Sequence, residues 1–145
     1  MFGLQIRYLS FFFGLISVLS FFNIIYSFYL NLYLNLDTYY LSLIVSLVLS
    51  ILFYKFQSTD IKINIYNKIL TVLSGYIFIP LILSMPFYFS IYDITFLNSY
   101  FESISGFTST GFTIFDNIKH IDQSLILWRS TTQWIGGLYF LFSII

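Results

Sequence analysis

Cysteine is absent from the 145 residues, as is alanine, and charged residues make up only 8%, with a formal net charge of zero. The missing cysteine excludes disulfides, thiolate metal sites and a cysteine nucleophile. The scarcity of charge excludes an ordinary soluble domain, in which about a quarter of residues are charged. Balanced signs with no Lys/Arg cluster argue against nucleic acid as a partner. There is one histidine, His120. With no grouping of nucleophile, base and orienting residue, and no metal quartet, an enzyme is not expected.

What is present is apolar: 59% hydrophobic residues, 23% aromatic. A chain this rich in Phe, Ile, Tyr, Asn and Lys has the composition that an AT-rich genome produces, so the aromatics are not read as a binding surface. Tyr near the ends of apolar runs is what anchoring at a bilayer interface predicts. A charge at the centre of a membrane helix costs roughly 2.5–3.5 kcal/mol, so the charges mark the limits of the spans. They fall at Arg7, Asp37, Lys55, Asp60, Lys62, Lys68, Asp93, Glu102, Asp116, Lys119, Asp122 and Arg129. Their spacing predicts membrane helices over residues 6–30, 38–54 and 68–88, and a fourth over 123–145 interrupted by Arg129, each near the twenty or so residues a bilayer requires. The charge-free interval 8–36 is too long for the apolar part of a signal peptide, about 7 to 15 residues, so the first helix is expected to be retained. Pro80 should kink the third helix and Pro86 loosen its outer end. The 55–68 connection carries Lys55, Lys62 and Lys68 against Asp60, whereas the 31–38 connection has only Asp37; the positive-inside rule then puts the lysine loop and the N-terminus in the cytoplasm.

Between the third and fourth spans lies YFESISGFTSTGFT, residues 100–113, too polar for a span and too apolar for an exposed loop. Residues 94–105 allow about three helical turns, roughly 18 Å, which is too short to cross. A half-helix entering from outside aims its partly negative C-terminal end at the membrane interior, which favours a cation. Gly106 is expected to stop it. Glycine-punctuated backbone at membrane depth is tolerated only where it is buried in protein or lines a wet pathway, so the stretch reads as a re-entrant pore segment. In TSTGFT the backbone carbonyls can replace the water around a weakly hydrated ion, Gly111 supplies a backbone geometry that other residues resist, and the hydroxyls add neutral oxygens. A carboxylate cage would suit Ca²⁺ better.

FESISGFTSTGFT (residues 101–113) and WRSTTQWIGG (residues 128–137) downstream together resemble the Trk/Ktr/HKT superfamily of potassium transporters, most closely its TrkH-type subunit. The resemblance implies four repeats of helix, pore helix, filter and helix around one pore, preceded by two extra helices. On that pattern residues 1–66 hold the two extra helices and a cytoplasmic loop, and residues 67–145 hold the first repeat. The fold class expected is an all-α polytopic membrane protein: four transmembrane helices plus a re-entrant pore helix and filter loop between helices three and four. The resemblance covers about a third of the family's length, so the chain is expected to be a fragment, completed by the missing remainder or by other copies. It further implies filter carbonyls from Thr108, Ser109, Thr110, Gly111 and Phe112. A glycine at the Gly111 position goes with K⁺ as transported ion, whereas Phe112 is bulkier than the small residue expected there. Also implied are a bacterial cytoplasmic (inner) membrane, a homodimer, a cytosolic nucleotide-binding regulatory subunit and coupling to protons or sodium, as in symport. No tightly bound cofactor and no metal other than K⁺ are expected. The alternative is a small multi-pass structural or interaction protein that does not conduct on its own.

Glu102 and Arg129 sit at similar depth and are expected to pair as structural support between pore helix and fourth helix, in preference to a proton relay at Glu102. Gly136 and Gly137 read as close-packing positions rather than a hinge. Asp116, His120 and Asp122 have the residue types of a metal site but lack a fourth ligand, and read as solvated loop residues. Trp128 and Trp134 read as packing and interfacial residues, and Asn23, Asn31 and Asn35 as interhelical or interface residues.

Overall fold

The computed structural model describes residues 6–56, 65–118 and 121–144, and every regular element among them is helical. In chain order these are α1 (Ile6–Tyr29), α2 (Leu36–Lys55), α3 (Ile65–Leu83), α4 (Met85–Tyr88), α5 (Phe96–Phe107) and α6 (Gln123–Ile144). Asp60, Lys62, Lys119 and His120 lie outside the described residues.

α1 and α2 form an antiparallel hairpin. α1 ends where Asn31 enters the left-handed region at φ 56°. The Leu32 N–H then donates to the Ser27 carbonyl at 2.8 Å and the Asn31 N–H to the Phe28 carbonyl at 3.3 Å, the two bonds of a Schellman cap. Asn31 is therefore a helix-ending residue, its side chain bonded among the described residues to nearby Tyr33, rather than an interhelical one. Asn23 and Asn35 do reach across: the Asn23 amide donates to the Ser124 carbonyl at 3.3 Å, and Asn35 donates to Asp122 at 3.1 Å while accepting from the Ile91 N–H at 3.2 Å.

The core is built from Phe12, Phe13 and Ile16 of α1, Ile79 and Leu83 of α3, Phe87 of α4, Phe107 of α5 and Leu125, Trp128, Ile135 and Tyr139 of α6. α2 buries Thr38, Tyr39, Ser42 and Ser46 and turns Ile44, Val48, Ile51 and Leu52 outward. Serines inside and large aliphatics outside is the reverse of a water-soluble helix, and it is favourable only where the surroundings are lipid. Among the described residues, three stretches are long and apolar enough to cross a membrane: Arg7–Tyr29, Leu36–Lys55 and Ile65–Tyr88. α6, expected as the fourth span, has the length, at 22 residues, but not the composition, because Arg129, Ser130, Thr131, Thr132 and Gln133 fall in its middle. The chain is a multi-pass membrane protein.

The third span breaks between its two prolines. α3 runs through Pro80 to Leu83, and α4 restarts at Met85 with Pro86 in its first turn. The break frees the Leu83 carbonyl, which accepts from the Trp128 indole N–H at 3.0 Å. Trp128 is fully buried, as expected for packing, and Trp134 is 74% exposed, on the outer face.

Candidate functional site

α5 is a 12-residue helix that begins at Thr95, whose hydroxyl accepts from the Asn98 N–H at 3.4 Å. At about 18 Å it cannot cross a bilayer. Its start and end fall two residues later than the spacing of charges predicts, because Thr95 caps it and Gly106 does not end it.

Gly106 is buried inside the helix, and its missing side chain admits Thr132 of α6, whose hydroxyl a Cβ would strike. Gly136 plays the converse part on α6, since a Cβ there would strike the Phe107 backbone. Gly137 has open space where a Cβ would stand, so close packing holds for Gly136 alone. On its other side α5 is tied to α3 at the proline bend. The Ser103 hydroxyl donates to the Pro80 carbonyl at 2.8 Å and the Tyr100 hydroxyl to the Ile77 carbonyl at 3.2 Å.

The residues after α5 turn back along it. The N–H groups of Thr108, Ser109 and Thr110 donate to the carbonyls of Ile104, Gly106 and Ser105 at 2.8, 2.9 and 3.0 Å, so they cap the helix. No described donor binds the carbonyls of Thr108, Ser109 or Thr110, and residues 108–112 are all exposed. Left-handed backbone at Ser109 (φ 57°) and Gly111 (φ 83°) makes the turn. The Gly111 angle suits glycine above all other residues. The next two carbonyls point the other way. The Phe112 carbonyl accepts from the Ser105 hydroxyl at 2.7 Å, and the Arg129 Nη2 lies 3.5 Å from both the Gly111 and Phe112 carbonyls. Of the five residues expected to offer carbonyls, Phe112 therefore has its oxygen tied into the protein. The Thr108 hydroxyl is likewise engaged, donating to the Ile104 carbonyl at 2.8 Å and pairing with Thr110, so these hydroxyls brace the turn rather than add free ligands.

Behind the turn stands Glu102, fully buried. It pairs with the Arg129 Nε from α6, accepts from the Ile114 N–H at 2.9 Å, and shares the Thr113 hydroxyl proton between its two oxygens at 3.1 Å each. The sequence pointed to Glu102 and Arg129, which the fold brings together. It marked Ser105 and Thr113 as hydroxyls of the pore segment but not their partners, and it gave no sign of Ser103, because hydroxyl residues occur throughout the chain and these follow no spacing rule. Below the turn is a cavity of about 380 Å³ between Tyr76, Phe107, Thr108, Gly136, Gly137 and Phe140.

Of the Asp116, His120 and Asp122 grouping, only the two aspartates lie among the described residues. Asp116 is exposed, His120 is not described, and Asp122 accepts from Asn35 and from Ser124 (2.6 Å) at the head of α6.

Residues 36–143, which hold α2 to α6, the turn and both members of the buried ion pair, match the TrkH family of cation transport proteins. The chain belongs to this family. Among TrkH-like relatives, an uncharacterized cation transporter of Methanocaldococcus jannaschii is 29% identical over 126 residues, 86% of this chain and 26% of that protein. The Trk system potassium uptake protein TrkI of Halomonas elongata is 37% identical over 66 residues, 46% of this chain and 12% of that protein. The Trk system potassium uptake protein TrkG of Escherichia coli K12 is 27% identical over 86 residues, 59% of this chain and 18% of that protein. The chain thus spans about a quarter or less of the length of these relatives. No solved structure matches it. Its relatives are transporters, in keeping with a protein that is not an enzyme.

Proposed function

We propose that the chain contributes one of four walls to a pore that carries K⁺ inward across the bacterial cytoplasmic membrane. In this reading α5 is a re-entrant pore helix, α6 is the fourth membrane span, and residues 67–145 form the first of four repeats behind the two extra helices of residues 1–66. The observation that carries it is a half-length helix followed by a turn whose N–H groups cap it, so that no described donor binds the carbonyls of Thr108, Ser109 and Thr110. Gly111 shapes the turn, while its carbonyl faces Arg129. Neutral oxygens of this kind suit a weakly hydrated monovalent ion that must also leave. Phe112 shapes the outer mouth by its side chain. Glu102 and Arg129 hold the wall in place.

The other walls come from chain beyond these residues or from further copies. By family likeness the complete transporter is a homodimer with a cytosolic nucleotide-binding regulatory subunit, and symport with protons or sodium belongs to that same expectation. K⁺ uptake in a bacterium lacking its own potassium transport tests the reading. The complete gene should restore growth at low K⁺. Gly111→Ser, forced into a left-handed conformation that costs a non-glycine residue about 1–2 kcal/mol, should weaken K⁺ selectivity. Rescue that is indifferent to changes across residues 108–111 would overturn the assignment.

A further inference from the structure

Ser20, Asn23 and Ser27 recur at spacings of three and four, so they share one face of α1. All three are buried, Asn23 at 1% exposure and Ser27 at 0%. The Ser20 hydroxyl is satisfied within the helix, donating to the Ile16 carbonyl at 2.9 Å. Asn23 Oδ1 and Ser27 Oγ have no hydrogen-bond partner among the described residues. Asn23 lies about 9 Å inside the helix from its end at Tyr29, within a stretch long and apolar enough to cross the membrane. A buried oxygen left bare in such surroundings costs at least as much as a lost hydrogen bond.

The neighbours fix which kind of group is missing. The Asn23 amide donates to the Ser124 carbonyl at 3.3 Å. Only its nitrogen can face a carbonyl, so Oδ1 is turned to the other side and needs a donor. The hydroxyls of α2 and α6 beside it are committed elsewhere. Ser124 donates its proton to Asp122 at 2.6 Å, so the 2.9 Å contact between the Tyr39 and Ser124 hydroxyls uses the proton of Tyr39. Neither is left with a proton for Asn23.

We propose that a single water molecule is bound here as a fixed part of the structure, donating to Asn23 Oδ1 and pairing with the Ser27 hydroxyl. Side chains four apart on a helix have Cβ atoms about 5–6 Å apart, and a water about 2.8 Å from each oxygen spans that gap. A hard cation gathers about six or more oxygens, whereas two are free here and the Asp122 Oδ2 already accepts from Asn35 and Ser124. By holding Oδ1 the water fixes the amide plane, and with it the bond to Ser124. It thereby joins α1 to the first turn of the helix that carries Trp128 and Arg129.

Thermal unfolding of the protein purified in mild detergent tests this, together with a cryo-electron microscopy map sharp enough to show ordered water. With the water in place, Ser27→Ala strips it of a partner and should lower the unfolding midpoint by about 2–4 °C. Without it, the same change removes only an unpaired hydroxyl, and a midpoint unchanged or raised would overturn the proposal. Ser27→Asn, whose amide can enter the water's place and donate to Asn23 Oδ1 itself, should hold the midpoint near wild type. A fall below that of Ser27→Ala would mean that there is no room for a water, and would equally overturn it. The map should show a peak within about 3.2 Å of Asn23 Oδ1; continuous protein density with no such peak would defeat the assignment. Exchange of sodium for choline at constant ionic strength should leave the midpoint in place, whereas a sodium-dependent rise abolished by Ser27→Ala would give the site to a cation instead.

Discussion

A carboxylate with no exposed surface must be accounted for oxygen by oxygen, and Glu102 is so accounted for: Arg129, Thr113 and the Ile114 N–H between them take both oxygens. These donors come from α6 and from the strand of chain returning after the turn, so one side chain fixes the turn against both. Removing one member of such a pair leaves a buried charge without compensation, at a cost of about 3–5 kcal/mol. Glu102→Gln and Arg129→Met should each lower unfolding free energy by that order in denaturant titrations in detergent. The double variant should lose less than the sum, because the second change removes a charge already left alone; additive losses would mean that the two residues act separately. This pair was legible in the sequence because isolated charges in apolar helices are costly and must find one another. The direction of the Phe112 carbonyl was not legible, since it depends on Ser105 lying seven residues back at the right height, and nothing in the residue types announces it.

Helices here approach through particular glycines, and two adjacent ones make the point. Gly136 faces the Phe107 backbone, which cannot give way as a flexible side chain can, whereas Gly137 faces open space. Gly136→Ala should therefore push α5 off α6 and destabilise by about 1–3 kcal/mol, and Gly137→Ala should stay within about 0.5 kcal/mol. Paired thermal unfolding curves decide it; similar midpoints for the two variants would mean that α5 and α6 are not in register as described. A related test concerns the broken third span. Trp128→Phe removes the pyrrole part of the indole and leaves the Leu83 carbonyl without its donor in an apolar interior, so a loss of at least about 1–3 kcal/mol is expected in denaturant titrations. The sequence placed α1 and α2 well, because charges bracket them, and it found α5 as a helix too short to span. It misassigned Gly106 as a stop, since a glycine required by a neighbouring helix and a glycine that ends its own look alike without the fold. It expected Pro86 to loosen the outer end of the third span, and the helix does break at Ser84 just before it.

At the scale of the molecule the charges separate by end. Arg7 and Lys55 lie at one end of the α1–α2 hairpin, where Arg7 covers the Tyr54 ring, and Lys68 lies in the first turn of α3 on the same side. The Tyr139 hydroxyl reaches the Thr71 and Val72 carbonyls of α3, and the Tyr8 hydroxyl reaches the Tyr139 carbonyl, which places these starts at one level. Asp37 at the head of α2 and Asp122 at the head of α6 occupy the other end, joined through Asn35. Basic residues beside span ends remain in the cytoplasm, so the basic end is predicted to face inward. The C-terminal end of α5 then points from the outer surface toward the midplane. The absence of cysteine makes this directly measurable. Asp116→Cys, in the exposed connection before α6, should react with a membrane-impermeant maleimide on intact cells, and Lys55→Cys should react only after the membrane is opened. The opposite pattern would invert the protein in the membrane, and α5 would then aim its partly negative end outward from the cytoplasmic side, leaving an inward-conducting filter on the wrong face.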